Sequence, residues 1–195
     1  MQCRIQSSLA LIGQEKFDFT IVAVSKKKSL ANIETAYELG LNHFGENFVQ
    51  EAIKKIKAFK HRATWHFIGS IQTNKCRDIA TNFDWVHSVD RLKIARRLSN
   101  LRPTAATPLN IFLQVNLQGE ATKSGIAPGE LTSLASAVHE LPNLQLRGLM
   151  AIPEPEPNFE LQRKVFSELR ELQHELNRVL DLALDCLSMG MTDDL

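Results

Sequence analysis

The side chain best suited to covalent chemistry in this sequence of 195 residues is Lys26, which follows the β-branched run 19–25. A period of two along this run places Val22, Val24 and Lys26 on one face of a strand, so the amine can project beyond the strand's end. An amine that is desolvated and close to other cations has a lowered pKa and can condense with a carbonyl group. The alternative interpretation is a basic turn between a strand and a helix, exposed to water.

Other polar residues lie near the ends of further apolar runs. Asn47 follows the run 42–45, and His66 and His87 lie within two aromatic runs. Each histidine could act as an acid or base, or could be a hydrogen-bonded histidine of the core. The sequence by itself leaves both interpretations open.

The segment that begins at Ser188 reads SMGMTDDL and resembles a turn from a strand into a helix. The backbone N–H groups of such a turn could hold a phosphate, and Gly190 would allow the phosphate to approach closely. The alternative is an ordinary helix start that is capped by Thr192 or Asp193.

Seven apolar runs alternate with segments of helical period, which predicts a parallel sheet covered by helices. The predicted strands are 19–25, 42–45, 64–69, 84–89, 109–116, 144–152 and 184–190. The predicted helices are 30–40, 48–59, 73–83, 91–101, 128–141 and a long helix from an Asn158 cap to about Leu180. In the long helix the predicted buried stripe is Val165, Phe166, Leu169, Leu172, Leu176 and Val179.

Two α/β architectures fit this order, an open doubly wound sheet and a closed (β/α)₈ barrel. The even spacing of the units and the lack of a GxGxxG turn favour the barrel. A complete barrel has eight strands and about 250 residues, whereas the seventh run lies just before Leu195. We therefore expect one domain over 1–195, a barrel truncated before strand eight, because a barrel without that strand would leave two parallel edges unpaired.

The composition excludes several classes of protein. With 44% apolar and 23% charged residues, the chain is of the globular class, and it has no apolar run long enough to span a membrane. Three scattered cysteines and the lack of a secretion signal predict a cytoplasmic protein with no disulfide framework and no metal site. Residues 1–123 carry a net charge of +8 and residues 124–195 of −7. The basic residues are not interleaved with aromatic ones, so we expect no nucleic-acid partner, and we expect a monomer.

Five sequence blocks together resemble one known family. They are AVSKKK around Lys26, FGENFVQE (44–51), WHFIGSIQTNK (65–75), LRGLMAI (146–152) and LSMGMTDDL (187–195). In this order and spacing they are similar to the pyridoxal phosphate homeostasis proteins, the YggS/PROSC family of proteins that bind pyridoxal 5′-phosphate (PLP). The resemblance implies a PLP-binding TIM barrel of fold type III, like the alanine racemase N-terminal domain.

The resemblance also implies roles for individual residues. Lys26 would hold PLP as a Schiff base and Asn47 would help to line the pocket. The residues implied for the phosphate site are Ser188, Gly190 and Met191, and those implied as pocket neighbours are His66 and Met150. The implied function is PLP (vitamin B6) homeostasis and amino-acid balance, with PLP-dependent apoenzymes as recipients and no established catalytic turnover.

Three departures from the family pattern and two other functions stay open at this point. Ser29 stands where the family usually has a proline, and the predicted amino-terminal helix is short. The family also continues after the SMGM block into an eighth strand that supplies an arginine near the cofactor ring. The first alternative function is a PLP-dependent amino-acid racemase of low activity. The second is a barrel that uses Lys26 on a carbonyl substrate without any cofactor.

Overall fold

The computed structural model describes residues 18–119, 124–153 and 156–190, and its strands form one parallel sheet in sequence order. The strands are β1 (Ala23–Val24), β2 (His43–Glu46), β3 (Thr64–Phe67), β4 (Trp85–Val89), β5 (Leu109–Gln114), β6 (Leu144–Met150) and β7 (Cys186–Ser188). The helices are α1 (Leu30–Glu38), α2 (Val49–Ala58), α3 (Cys76–Asn82), α4 (Leu92–Leu101), α5 (Leu131–His139) and α6 (Phe159–Leu180). Short 3₁₀ turns at Thr73–Lys75 and Pro128–Glu130 lead into α3 and α5.

The strand order distinguishes between the two predicted architectures. A doubly wound sheet reverses its strand order at a switch point, whereas here each strand pairs with the next one in the sequence. The sheet is also strongly curled, because the side chains of His87 on β4 and Ser188 on β7 are hydrogen-bonded although two strands, β5 and β6, lie between them. Sequential order and strong curvature are the properties of a barrel wall.

Aromatic and aliphatic residues fill the space between the sheet and its helices. The fully buried Phe44 on β2 contacts Trp65 on β3 and Phe59 at the end of α2, with ring centroids 5.5 and 5.8 Å apart. Phe67 on β3 packs edge-on against Phe83 at the end of α3 at 5.3 Å. These contacts fix α2 against β2 and α3 against β3, in each case the strand that precedes the helix along the chain.

The long helix α6 begins as predicted and buries the predicted Leu169 and Leu176, but its stripe differs from the prediction at the end of the helix. The side chain of Asn158 caps the helix by accepting hydrogen bonds from the N–H groups of Glu160 and Leu161. The prediction for Val179 is wrong, because 49% of this residue is exposed. The stripe instead follows Leu169, Gln173, Leu176 and the half-buried Leu180, at the helical spacing of four, three and four residues.

Gln173 is buried because it satisfies backbone groups of the sheet. Its Oε1 accepts a hydrogen bond from the N–H of Leu149 on β6, and its Nε2 donates to the carbonyl of Leu184 just before β7. A buried amide whose donor and acceptor are both used costs little.

No helix within the described ranges is long and apolar enough to cross a membrane.

Gly148 on β6 is required by the close approach of β7. A Cβ atom at this position would lie 1.8 Å from the carbonyl oxygen of Cys186 and 2.5 Å from Oε1 of Gln173. The first of these atoms belongs to the backbone of the next strand and cannot move away independently. The β6–β7 pairing, which positions Ser188, therefore depends on glycine at position 148.

We predict that Gly148→Ala lowers the free energy of unfolding by about 1–3 kcal/mol or more, as overpacking does in other cores. Urea denaturation followed by circular dichroism measures the change. Gly129→Ala is the matched control, because a Cβ at Gly129 meets nothing within 4 Å. Equal stability of the two variants would contradict this account of the β6–β7 contact.

Candidate functional site

The structure places the predicted site residues at one edge of the sheet. Lys26 lies two residues beyond β1, Asn47 directly follows β2, and Met150 and Ser188 are the last residues of β6 and β7. Because all the strands are parallel, their carboxyl ends meet at the same edge, which is where α/β barrels form their sites.

The three remaining predicted site residues are His66, Gly190 and Met191. His66 lies within β3, one residue before its end, and Gly190 lies two residues beyond β7. Met191 lies outside the described residues. The described part of the chain thus gathers six of the predicted residues on or next to this edge.

Lys26 itself is exposed, so the predicted desolvation of its amine is not found. The reason lies in its strand. Within the described residues β1 pairs with β2 alone, and Val24, two residues before Lys26, is 50% exposed. Because β1 has one paired neighbour within the described residues, the amine of Lys26 is in contact with water and accessible from solution.

A buried ion pair supports the turn that carries Lys26. The Nζ atom of Lys55 on α2 donates to Oε1 of Glu46 at 2.7 Å and to Oε1 of Glu51 at 2.6 Å. It also donates to the backbone carbonyl of Ser25 at 2.7 Å. The Glu46 side chain is fully buried and that of Lys55 is 9% exposed. Each charge is therefore stabilised by the other in place of water.

The residues on both sides of Lys26 are bound to this network. The hydroxyl of Ser25 donates to Oε1 of Glu46 at 2.7 Å, and the N–H of Lys27 donates to Oε1 of Glu51 at 2.6 Å. Lys27 has a φ of 59°, in the left-handed region, which produces a sharp turn directly after Lys26. The hydrogen bond from Lys55 lowers the pKa of Glu51, which keeps this carboxylate charged. The position of the Lys26 backbone is therefore fixed by its neighbours.

The sequence analysis missed Lys55, although a signal was present. It lies three residues after the buried Ala52, on the stripe of α2 that faces the sheet, and four residues after Glu51. A lysine on an apolar helix stripe with an acidic residue one turn earlier is typical of a buried ion pair.

Three histidines form a hydrogen-bonded chain across the inner face of the sheet. Nδ1 of His43 on β2 lies 2.9 Å from Nε2 of His66 on β3, and Nδ1 of His66 lies 2.8 Å from Nε2 of His87 on β4. The chain ends on β7, where Nδ1 of His87 lies 2.7 Å from Oγ of Ser188. His66 and His87 are buried and His43 is half-buried.

Aromatic rings surround this chain and keep water from it. The ring of Trp85 stacks on His66 at 5.7 Å and on Phe112 at 5.4 Å, and the guanidinium of Arg147 lies 5.2 Å from its centroid. Burial lowers the pKa of His66 to about 2 and that of His87 to about 3. Both rings are therefore neutral at physiological pH.

Two features at the carboxyl edge favour a bound ligand. Oδ1 of Asn47 is buried and has no hydrogen-bond partner among the described residues, although a buried amide oxygen normally has one. Gly190 has a φ of 131°, a conformation that glycine adopts without strain. A glycine there leaves the backbone after Ser188 open to the close approach of a ligand.

The comparisons with known proteins agree with this geometry. Residues 13–195 match the family model of the alanine racemase N-terminal domain. The chain is 53% identical to the pyridoxal phosphate homeostasis protein of Pseudomonas aeruginosa over 193 residues, which are 98% of this chain and 82% of that protein. It is 42% identical to the protein of the same name from Escherichia coli K12, over 98% of this chain and 83% of that protein.

Solved structures show the same fold. The structure of PipY from Synechococcus elongatus PCC7942 with PLP bound is similar to this chain with a TM-score of 0.84 at 34% identity, covering 97% of this chain and 90% of PipY. An alanine racemase from Clostridium difficile 630 has a TM-score of 0.73 at 12% identity, over 95% of this chain and 52% of the racemase. The predicted fold class, an alanine racemase-like barrel, is thereby confirmed.

We predict that Lys55→Met lowers the free energy of unfolding by about 3–5 kcal/mol, because it leaves the carboxylate of Glu46 buried without its cation. The double variant Lys55→Met/Glu46→Gln should recover part of this loss. Chemical denaturation measures both, with Lys54→Met, an exposed lysine of the same helix, as the control. A Lys55→Met protein as stable as the Lys54→Met protein would show that the ion pair is not needed.

We also predict that stability falls as the pH decreases below 6.5, the ordinary pKa of histidine. Above this pH the rings of His66 and His87 are neutral in both states and contribute no difference. Below it the unfolded chain binds protons that the folded chain does not, at a cost of about 1–2 kcal/mol per ring near pH 5.5.

Urea denaturation at about pH 7.5 and about pH 5.5 measures this pH dependence. His87→Gln should lose less stability on acidification than the wild type, by about 1–2 kcal/mol. His174→Gln, at an exposed position on α6, should behave like the wild type. If His87→Gln kept the full pH dependence, the buried neutral ring would not be its source.

Proposed function

Because this chain belongs to the alanine racemase N-terminal domain family, together with the pyridoxal phosphate homeostasis proteins, we propose that it binds PLP and acts in PLP homeostasis. The observation that carries the proposal is that an accessible amine, that of Lys26, and the hydroxyl of Ser188 lie at the same carboxyl edge of the sheet. An amine and a phosphate-binding turn are the two groups needed to hold an aldehyde that carries a phosphate.

The residues at this edge fit such a ligand. The phosphate group would lie at the end of β7, where Ser188 offers a hydroxyl and Gly190, which has no Cβ, leaves room for close approach. Oδ1 of Asn47, which has no partner among the described residues, would face a donor of the ligand. Met150 pairs with Ser188 in the register of β6 and β7 and would supply apolar contact.

Lys26 would supply the covalent link. Its Nζ would hold the aldehyde carbon of PLP as a Schiff base, with the aldehyde oxygen released as water. Bound in this Schiff base, PLP supplies an electron sink for amino-acid chemistry. The protein's own contribution is the fixed backbone on both sides of Lys26, which keeps the amine at the edge of the sheet.

The exposure of Lys26 suits a protein that stores and releases PLP. Hydrolysis of the Schiff base needs water at the carbon–nitrogen bond, and the amine lies where water reaches it. We therefore propose PLP-dependent apoenzymes as recipients, and a monomer in the cytoplasm as the working form. Control of free PLP would in turn influence amino-acid balance.

No observation in the described residues favours the racemase alternative. The only tyrosine of the sequence, Tyr37, lies on α1, and its ring packs against Phe59 at 5.6 Å and His61 at 4.8 Å. Both neighbours precede β3, at the end of the sheet opposite to Lys26. Tyr37 is thus not placed to exchange protons with a ligand on Lys26.

We predict that PLP added to the purified full chain produces the visible absorption band of a Schiff base, and that Lys26→Ala abolishes this band. Lys28→Ala is the matched control, since Lys28 is an exposed lysine of the same turn. The Lys28 variant should titrate with PLP as the wild type does. A Lys26→Ala protein that keeps the band and its affinity would overturn the proposed role of Lys26.

A further inference from the structure

The histidine chain described above connects one side of the sheet to the proposed phosphate site. It passes from His43 through His66 and His87 to Ser188 in three contacts of 2.9, 2.8 and 2.7 Å. The four residues come from β2, β3, β4 and β7, so the contacts cross the interior of the curled sheet. The chain does more than fill space, because the nitrogen that is protonated on one ring determines which nitrogen is protonated on the next ring.

The constraint follows from the chemistry of a neutral imidazole, which has one N–H donor and one bare nitrogen acceptor. Both nitrogens of His66 are engaged with other rings, so one of them donates and the other accepts. Burial keeps His66 and His87 neutral and also lowers the pKa of His43. The position of the ring proton on His66 therefore determines the position of the ring proton on His43 and on His87.

Only two arrangements of the neutral chain fill all three contacts. In the first, every ring has its proton on Nδ1, so that His43 donates to His66, His66 to His87, and His87 to Oγ of Ser188. In the second, the Ser188 hydroxyl donates to His87, and His87 and His66 have their protons on Nε2. The two arrangements differ in what remains available on Ser188.

In the first arrangement Ser188 accepts from His87, and its own proton is available to a ligand. In the second that proton is used within the chain. A phosphate dianion offers acceptors only, so it can bind the Ser188 hydroxyl only in the first arrangement. Binding of a phosphate to the Ser188 hydroxyl therefore requires the first arrangement of the ring protons.

We propose that the histidine chain orients the Ser188 hydroxyl as a hydrogen-bond donor to the phosphate of PLP, with the protons of all three rings on Nδ1. This inference rests on the proposed function. His87, His66 and His43 are positioning residues that act through Ser188, and they need no contact with the ligand.

Nitrogen-15 NMR of the histidine rings in the full chain tests this directly, because ring nitrogens with and without a proton have different shifts. With PLP bound, we expect His43, His66 and His87 each to be protonated on Nδ1 and bare on Nε2. Ring protons on Nε2 of His66 or His87 in a sample with the visible Schiff-base band would overturn the inference and leave the proposed function standing. If PLP produced no such band, the proposed function would fail and this inference with it.

Ligand affinity gives an independent test with a control that lacks the phosphate. In His87→Phe the Ser188 hydroxyl loses its orienting donor, so we expect the affinity for PLP to fall about tenfold while that for pyridoxal is unchanged. His174→Phe, at an exposed position, should bind both ligands as the wild type does. An equal loss for PLP and pyridoxal in His87→Phe would mean that the ring acts only on the fold, and would contradict the proposal.

Discussion

The buried ion pair between Lys55 and Glu46 is the interaction on which the position of Lys26 depends. Its charges are costly to remove from water, and the structure offsets that cost with hydrogen bonds from Ser25 and to Glu51. The same bonds connect α2, the end of β2 and the turn after β1 into one unit. An exposed, flexible side chain such as Lys26 can be presented reliably only if its backbone is held in this way, since the lysine itself has no such contact in the described structure.

The two faces of the sheet have different side chains. The face toward the helices is apolar and contributes to stability, whereas the inner face has polar groups that lead to the proposed site. The sheet's helix side is packed with residues such as Phe44 and Phe67, which exclude water. Its inner face has histidines whose ring nitrogens are hydrogen-bonded to one another, and a tryptophan whose ring stacks on His66. The inner face can therefore be polar and dry at once, and it ends at Ser188, next to the site.

The sequence predicted the seven strands, their parallel order and the carboxyl edge at which the predicted site residues lie, because these follow from apolar runs and helical periods that are local. The strands are shorter than the runs, as at β1, where only Ala23 and Val24 pair with β2. The network of Lys55 and the chain through His43 were not predicted. Both depend on side chains that meet across different elements, and a single sequence does not state which inward positions face each other. The exposure of Lys26 has the same origin, because burial is a property of the neighbouring strands.

In the proposed function one amine, that of Lys26, holds PLP. Reduction of the PLP-bound chain with borohydride, followed by peptide mapping with mass spectrometry, tests it most directly, because the reduced bond marks the lysine that carried the ligand. We expect the pyridoxyl group on Lys26, with Lys27 and Lys28 unmodified at stoichiometric PLP. A label spread over these three lysines, or one located on a lysine elsewhere in the chain, would contradict it.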